Sequence, residues 1–308
     1  MKPTVFIHTN AAQLLGAKVS AYSLHRASSN ADKFDVQIIE LEKTPHLLQH
    51  DGDTFLRDNE KIVWRAAELQ SFTLLRFLPP QLMNFEGRSV VIDPDIFAVA
   101  DVYELLSRDM NGKAVWARPA KKGDGYGTSC MLMDNAKLAH WKWDAQIDAL
   151  FAHQQDYQPW ILLTNEPPEA IGKLENCWND FDNLDANTKL IHNTHRTTQP
   201  WKTGLLFQDL HRVAADGKNA KSGFKTKLYK LIGKRPHMHE PHPDRNQQNL
   251  FFGFLRECLE KNIISEQFLK DEISREYLRP DAMQVLETTP LLDKTLESIR
   301  SQQPTTTA

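Results

Sequence analysis

The sequence predicts an α/β protein built on a mainly parallel sheet, and three stretches carry that expectation. At the N-terminus, Thr4–Thr9 is an apolar strand signal, Ala12–Ser28 places Leu14, Leu15, Val19, Tyr22 and Leu24 near helical spacing, and Val36–Glu40 returns to strand character. That order makes a βαβ unit, whose crossover joins parallel strands. Further on, Ser89–Asp101 (SVVIDPDIFAVAD) is an apolar run that drives into Asp93 and Asp95 and then resumes. Late in the chain, Gln247–Lys261 and Glu266–Tyr277 read as two helices joined at Asn262–Ser265, with Ser265 as N-cap.

Composition bounds the function classes. The chain has 308 residues, 41% hydrophobic and 25% charged, enough for one large α/β domain or two small ones. A net charge of −3 makes no global case for a nucleic-acid partner. Cys130, Cys177 and Cys258 are scattered without CxxC spacing, which argues against a disulfide framework or a zinc cluster and for a reducing compartment. His8, Thr9 and Asn10 interrupt the N-terminal apolar run before signal length, and no later stretch reaches membrane-span length, so the expected location is cytoplasmic, with no integral membrane segment.

In chain order, the carboxyl ends of parallel strands are where ligands gather, which puts Thr9 and Asn10 at the mouth of a site. Lys43–Lys61 is polar and reads as a loop. Ile62–Leu78 reads as a helix carrying Arg76 and stopped by Pro79-Pro80. In Ser89–Asp101, residues two apart on an extended chain face the same way, and Pro94 biases Asp93 toward extension, so two carboxylates stand side by side at a strand end. By itself that pair fits an acidic turn as well as a metal site.

Val102–Leu106 reads as a short helix, Ala114–Ala117 and Cys130–Met133 as strands, and Asn135–Phe151 as a helix with Trp141 and Trp143 as packing residues. The loop KKGDGYG (Lys121–Gly127) lacks the GxxxxGK[ST] order of a phosphate cradle and reads first as a turn. Trp160–Leu163 and Leu190–Ile191 read as strands. Between them, Asp180, Asp182 and Asp185 lack the glycine and glutamate of a calcium loop and read as a solvated loop. Next comes IHNTHRTTQPWKTG, which groups His192, His195, Arg196 and Lys202 around Gln199-Pro200-Trp201. From Gly217 to His239 every charged side chain is basic; a solvated surface segment is preferred over a docking site for an anionic acceptor or membrane surface. His237, His239 and His242 lie among prolines, which favours a stiff connector over a metal cluster.

The order of these features resembles the family 8 glycosyltransferases, retaining enzymes of the GT-A fold. The family's DxD looks like Asp93-Pro94-Asp95, its FNSGVMLM stretch is similar to Tyr126–Met133, and its late HFxGxxKPW is similar to His192–Trp201. The resemblance spans Thr4 to Gly204. It implies a mixed, mainly parallel GT-A sheet flanked by helices in a nucleotide-sugar-binding catalytic core over 1–204; beyond it the residues themselves read as a basic connector and helical C-terminal region over 205–300 and a disordered tail over 301–308.

It also implies a function: transfer of a sugar, with retention, from a nucleoside-diphosphate donor to a glycan, lipid or protein acceptor. Asp93, Asp95 and His192 would ligate Mn²⁺ or Mg²⁺, Arg76 would reach the donor phosphate or sugar, and Thr9 and Asn10 would line the nucleotide pocket. Two departures matter. The family lysine before the PW turn is Gln199 here, and the His192–Trp201 spacing is one residue longer, so the diphosphate's second cation falls to Arg196 or Lys202. Those departures also support an alternative, a catalytically silent nucleotide-binding or scaffold protein on the same fold.

Overall fold

The structure is a computed structural model and describes residues 1–120, 124–207 and 237–302. Residues 121–123 of the KKGDGYG loop, most of the basic stretch Gly217–His239 and residues 303–308 of the tail lie outside the described residues.

The expected βαβ unit is present. β1 (Thr4–Thr9) and β2 (Asp35–Glu40) are parallel, joined by the helix Leu14–Arg26, whose apolar face buries Leu15, Val19, Tyr22 and Leu24. The segment expected to be a loop instead holds a short helix, Pro45–Leu48, and a hairpin of β3 (Thr54–Arg57) and β4 (Glu60–Val63). Asp58 and Asn59 turn the hairpin with φ of 53° and 62°, the left-handed pair that a two-residue hairpin needs and that Asp and Asn adopt most readily after glycine. The helix expected over Ile62–Leu78 is mostly absent. Its first residues belong to β4, and only Ser71–Phe77 is helical, as a 3₁₀ stretch carrying Arg76. Pro79 and Pro80 open a helix, Pro79–Leu82, because their missing N–H groups fall in a first turn that has no use for them.

β5 (Arg88–Ile92) lies beside β1 and parallel to it, and β6 (Ile96–Ala98) follows the DPD turn. The expected short helix after it is Tyr103–Leu106. β7 (Val115–Pro119) and the long β8 (Tyr126–Asp134) extend the predicted strands, and β9 (Ile171–Lys173) pairs parallel with β7. The six-stranded sheet runs β2-β1-β5-β8-β7-β9, with β8 alone antiparallel to its neighbours, so the expected mixed, mainly parallel sheet flanked by helices is what forms. Gly125 enters β8 with φ of 105°, and a Cβ there would stand 2.6 Å from the Leu162 carbonyl oxygen, so this glycine serves a close backbone approach.

The expected helix over Asn135–Phe151 is broken into a 3₁₀ turn, Asn135–Leu138, and a helix, Trp143–Phe151. Residues two apart on a helix point to nearly opposite sides, and only the break lets Trp141 and Trp143 both bury. The strand expected at Trp160–Leu163 is a correction: Tyr157–Ile161 is helical. Asp156 caps it, accepting from Gln158 N at 2.7 Å and also from Asp58 N and Asn59 N of the hairpin turn.

β10 (Asp180–Phe181), β11 (Leu190–His192) and β6 form a second, small sheet. The C-terminal region contains Arg245–Glu260 and Glu266–Ser274, capped by Ser265 as expected, plus two helices missing from the sequence reading, Ala282–Thr288 and Leu292–Arg300. These helices share an apolar core with Leu15, Val19 and Tyr22 of the first helix and with Trp201.

The first helix also meets the DPD turn directly. A Cβ on Gly16 would stand 2.7 Å from the Pro94 carbonyl oxygen. Gly16→Ala should therefore lower stability by about 1–3 kcal/mol through overpacking, despite the better helix propensity of alanine. A urea midpoint that rises instead would remove this account of the glycine.

Candidate active site

β5 ends at Ile92, so Asp93 stands at the carboxyl edge of the central sheet, where its N–H donates to the Ser129 carbonyl of β8 at 3.0 Å. β6 then runs antiparallel to β11 with Ile96 opposite His192, and Asn193 N donates to the Asp95 carbonyl at 3.1 Å. That register delivers a histidine far away in sequence to the DPD turn. The ligand atoms of Asp93, Asp95 and His192 all lie within 4.8 Å of one another.

Asp93 is the most heavily compensated group. Arg76 donates from Nε to Oδ1 at 3.0 Å and from Nη2 to Oδ2 at 2.5 Å, and His8 Nε2 reaches Oδ1 at 2.9 Å. Burial alone would raise the carboxyl pKa, but the Arg76 charge and the His8 hydrogen bond outweigh it and hold Asp93 well below the usual carboxylate range. His8 is fully buried; burial, opposed by Asp93, lowers its pKa and leaves a neutral ring that donates through Nε2. Its Nδ1 has no partner among the described residues.

Asp95 is held on both oxygens. His192 Nε2 lies 3.2 Å from Oδ1, and the Gln199 amide donates to Oδ2 at 3.0 Å. On the other side of the His192 ring, Nδ1 lies 2.8 Å from Asn179 Oδ1, and the Asn179 amide nitrogen donates to Ser129 Oγ at 2.9 Å. The network assigns the Asn179 oxygen to His192, so Nδ1 carries the proton and Nε2 faces the carboxylates. A bare Nε2 lone pair beside a carboxylate oxygen is repulsive and demands a cation between them, either a second proton or a metal. Burial lowers the His192 pKa, yet the charge and hydrogen bond of Asp95, then the charge of Asp93, overcome it and raise the net value. Two hard oxygen donors and one oriented imidazole therefore fit a divalent ion.

A cavity of about 300 Å³ opens over this group, lined by Arg76, Asp93, Asp95, His192, Arg196 and Thr128 among others. Thr128 accepts from Arg76 Nη1 at 3.2 Å and donates to the Ile161 carbonyl, tying β8 to the helix Tyr157–Ile161. Thr9 and Asn10 are buried and are not among the residues that line it; the Asn10 amide holds the rim by donating to the Glu68 carbonyl at 3.0 Å and Ser71 Oγ at 3.1 Å. A second cavity, about 220 Å³, shares Leu69, Arg196 and Gln199 with the first, and Lys202 lines this one.

The sequence reading passed over His8 and Asn179. His8 left a signal, a lone polar ring inside the apolar strand TVFIHT; Asn179 left none in its polar surroundings.

No family model and no curated protein matches this chain. Among solved structures it is similar to the glycosyltransferase GlyE of Streptococcus pneumoniae TIGR4, at 14% identity and a TM-score of 0.47, over 85% of this chain and 64% of that one. It is also similar to the galactosyltransferase LgtC with donor and acceptor sugar analogues (11% identity, TM-score 0.43, 75% of this chain and 100% of that one) and to mouse xyloside xylosyltransferase 1 (12% identity, TM-score 0.40, 63% and 98%). The matched region spans less than two thirds of GlyE and 47% of the bifunctional WbbM.

The ion pair at Asp93 predicts the cost of removing its cation. Arg76→Met should destabilise by about 3 kcal/mol at neutral pH, because it leaves a buried carboxylate short of its main partner. In the wild type the depressed Asp93 pKa contributes stability that is complete above the unfolded value and lost as pH falls through the folded one. In the variant, burial dominates and raises that pKa, so the deficit should shrink as pH drops from 7 toward 5. Urea unfolding at both pH values checks it; a deficit that is constant or grows on acidification contradicts the assignment.

Proposed function

We propose that this chain is a metal-dependent glycosyltransferase of the GT-A fold that moves a sugar, with retention, from a nucleoside-diphosphate donor to a glycan, lipid or protein acceptor. The single observation that carries the reading is the convergence of Asp93, Asp95 and His192 at the carboxyl edge of parallel strands, with Arg76 beside them and a cavity above. The motif order that resembles family 8 enzymes supports it independently.

In this reading Asp93, Asp95 and His192 hold Mn²⁺, with Mg²⁺ as the second choice. An ion held there would supply Lewis-acid neutralisation of the charge on a leaving diphosphate. The chain's own residues do the rest. Asn179 keeps the His192 proton on Nδ1, Arg76 orients Asp93 and presents its guanidinium to the donor phosphate or sugar, and Gln199, where the family has its lysine, holds Asp95 instead. Thr9 and Asn10 act through the rim that Asn10 fastens at 68–71, shaping the nucleotide pocket. A cytoplasmic setting is supported by three free cysteines. Among the described residues no helix is long and apolar enough to cross a membrane.

One observation favours the second reading, a silent nucleotide-binding or scaffold protein. Both carboxylates already have protein partners, Asp93 on Arg76 and Asp95 on Gln199. Incubation with a panel of UDP-, GDP- and ADP-sugars separates the two: slow Mn²⁺-dependent release of free sugar is expected of the transferase, and nucleotide binding without release of sugar is expected of the silent protein. Asp95→Ala should abolish both hydrolysis and transfer, and unchanged turnover in that variant sinks the metal assignment.

A further inference from the structure

The second cavity is not explained by donor binding. Lys202 lines it and is 8% exposed, and its ammonium has no hydrogen-bond or ion-pair partner among the described residues. Arg196 lines it too, with a buried Nε that lacks a partner among the described residues. Arg275, paired with Glu272 at 3.6 Å, adds a third cation to the lining, which contains one carboxylate, Glu276. A buried ammonium without a paired counter-ion is unfavourable, and the charge of Asp95 offsets that only in part. Burial, with the charge of Arg196 adding to it and that of Asp95 opposing it, lowers the Lys202 pKa to about 8, so the group remains mainly cationic at neutral pH. Leu206, Phe207 and Tyr277 stand beside these cations in the wall, with Gln199 and His239 as its other polar members.

We infer that this cavity is the acceptor subsite and takes a phosphate-bearing acceptor, with Lys202 and Arg196 on the phosphate and the aromatic wall against its carbon skeleton. Concentrated negative charge answers two converging cations, one a compact point charge and the other a planar fork. The shared wall of Leu69, Arg196 and Gln199 places such a molecule next to the donor cavity, as direct transfer requires. The acceptor role rests on the transferase reading; the phosphate site itself does not.

Calorimetric titration of the full chain with inorganic phosphate, alone and with saturating UDP and Mn²⁺, tests this. Phosphate should bind in both conditions, and Lys202→Met should weaken it by about tenfold or more, the loss of one charge-assisted contact. Leu206→Trp, at a residue 48% exposed, should block the cavity and weaken phosphate likewise, which keeps the test open if Lys202→Met does not fold. Displacement of phosphate by UDP–Mn²⁺ would return Lys202 and Arg196 to the donor diphosphate and overturn the proposal. So would undiminished binding in the folded variants, or no binding by the wild type. Failure of UDP to bind would count against the transferase reading and leave the phosphate result standing. Competition by glucose 1-phosphate would assign the phosphate to a soluble sugar; co-sedimentation with phosphatidylcholine vesicles containing phosphatidic acid, lost in Lys202→Met, would assign it to a lipid.

Discussion

Two carboxylates, Asp93 and Asp95, stand buried or nearly so at the edge of the central sheet, and their charge is the constraint on which the surrounding structure depends. Charge of one sign confined in a low dielectric needs opposite charge or hydrogen-bond donors on every exposed oxygen. Arg76 and His8 supply them to Asp93, Gln199 supplies one to Asp95, and His192 Nε2 faces the other Asp95 oxygen across the place a proton or metal would fill. Those four partners come from β1, the 3₁₀ stretch Ser71–Phe77, β11 and the turn after it, so the pair of acids draws together segments that are distant in sequence.

The network behind the site is equally continuous. β8 contributes Ser129, which accepts from Asp93 N through its carbonyl and from Asn179 through its hydroxyl, and Thr128, which holds Arg76. One strand therefore sets the orientation of an acid, a histidine and an arginine. Such a shell fixes the tautomer of His192 and limits the rotamers of Arg76, the preorganisation that a divalent-ion site would need.

The C-terminal helices brace the loop that carries Gln199, Arg196 and Lys202. Arg279 N donates to the Trp201 carbonyl at 2.8 Å and its guanidinium to the Pro200 carbonyl, while Gln247 bonds both Asn193 and the Asp182 carbonyl. Trp201 stacks on Phe251 of the helix Arg245–Glu260 at a centroid distance of 4.8 Å. Because this braced loop supplies Arg196 and Gln199 of the wall between the two cavities, the helical region takes part in shaping both.

The sequence by itself determined the βαβ opening, the buried strand closing in DPD, the Ser265 cap and the short list Arg76, Asp93, Asp95 and His192, because each rests on local periodicity, on a cap or turn residue, or on motif order. Where local patterns were ambiguous, tertiary structure decided. Trp160–Leu163 is apolar enough for a strand, but the Asp156 cap and the packing of Trp160 on Phe77 make a helix there. Asp58-Asn59 closes a hairpin within a stretch too polar to announce one. Whether His192 faces the acids was likewise open until the antiparallel register of β6 and β11 put it opposite Ile96. That register, the role of His8 as a donor to Asp93, and the turning of Lys202 toward the second cavity depend on contacts between residues far apart in the chain. Composition and spacing carry no record of such contacts, since they are fixed by the packing of whole elements against one another.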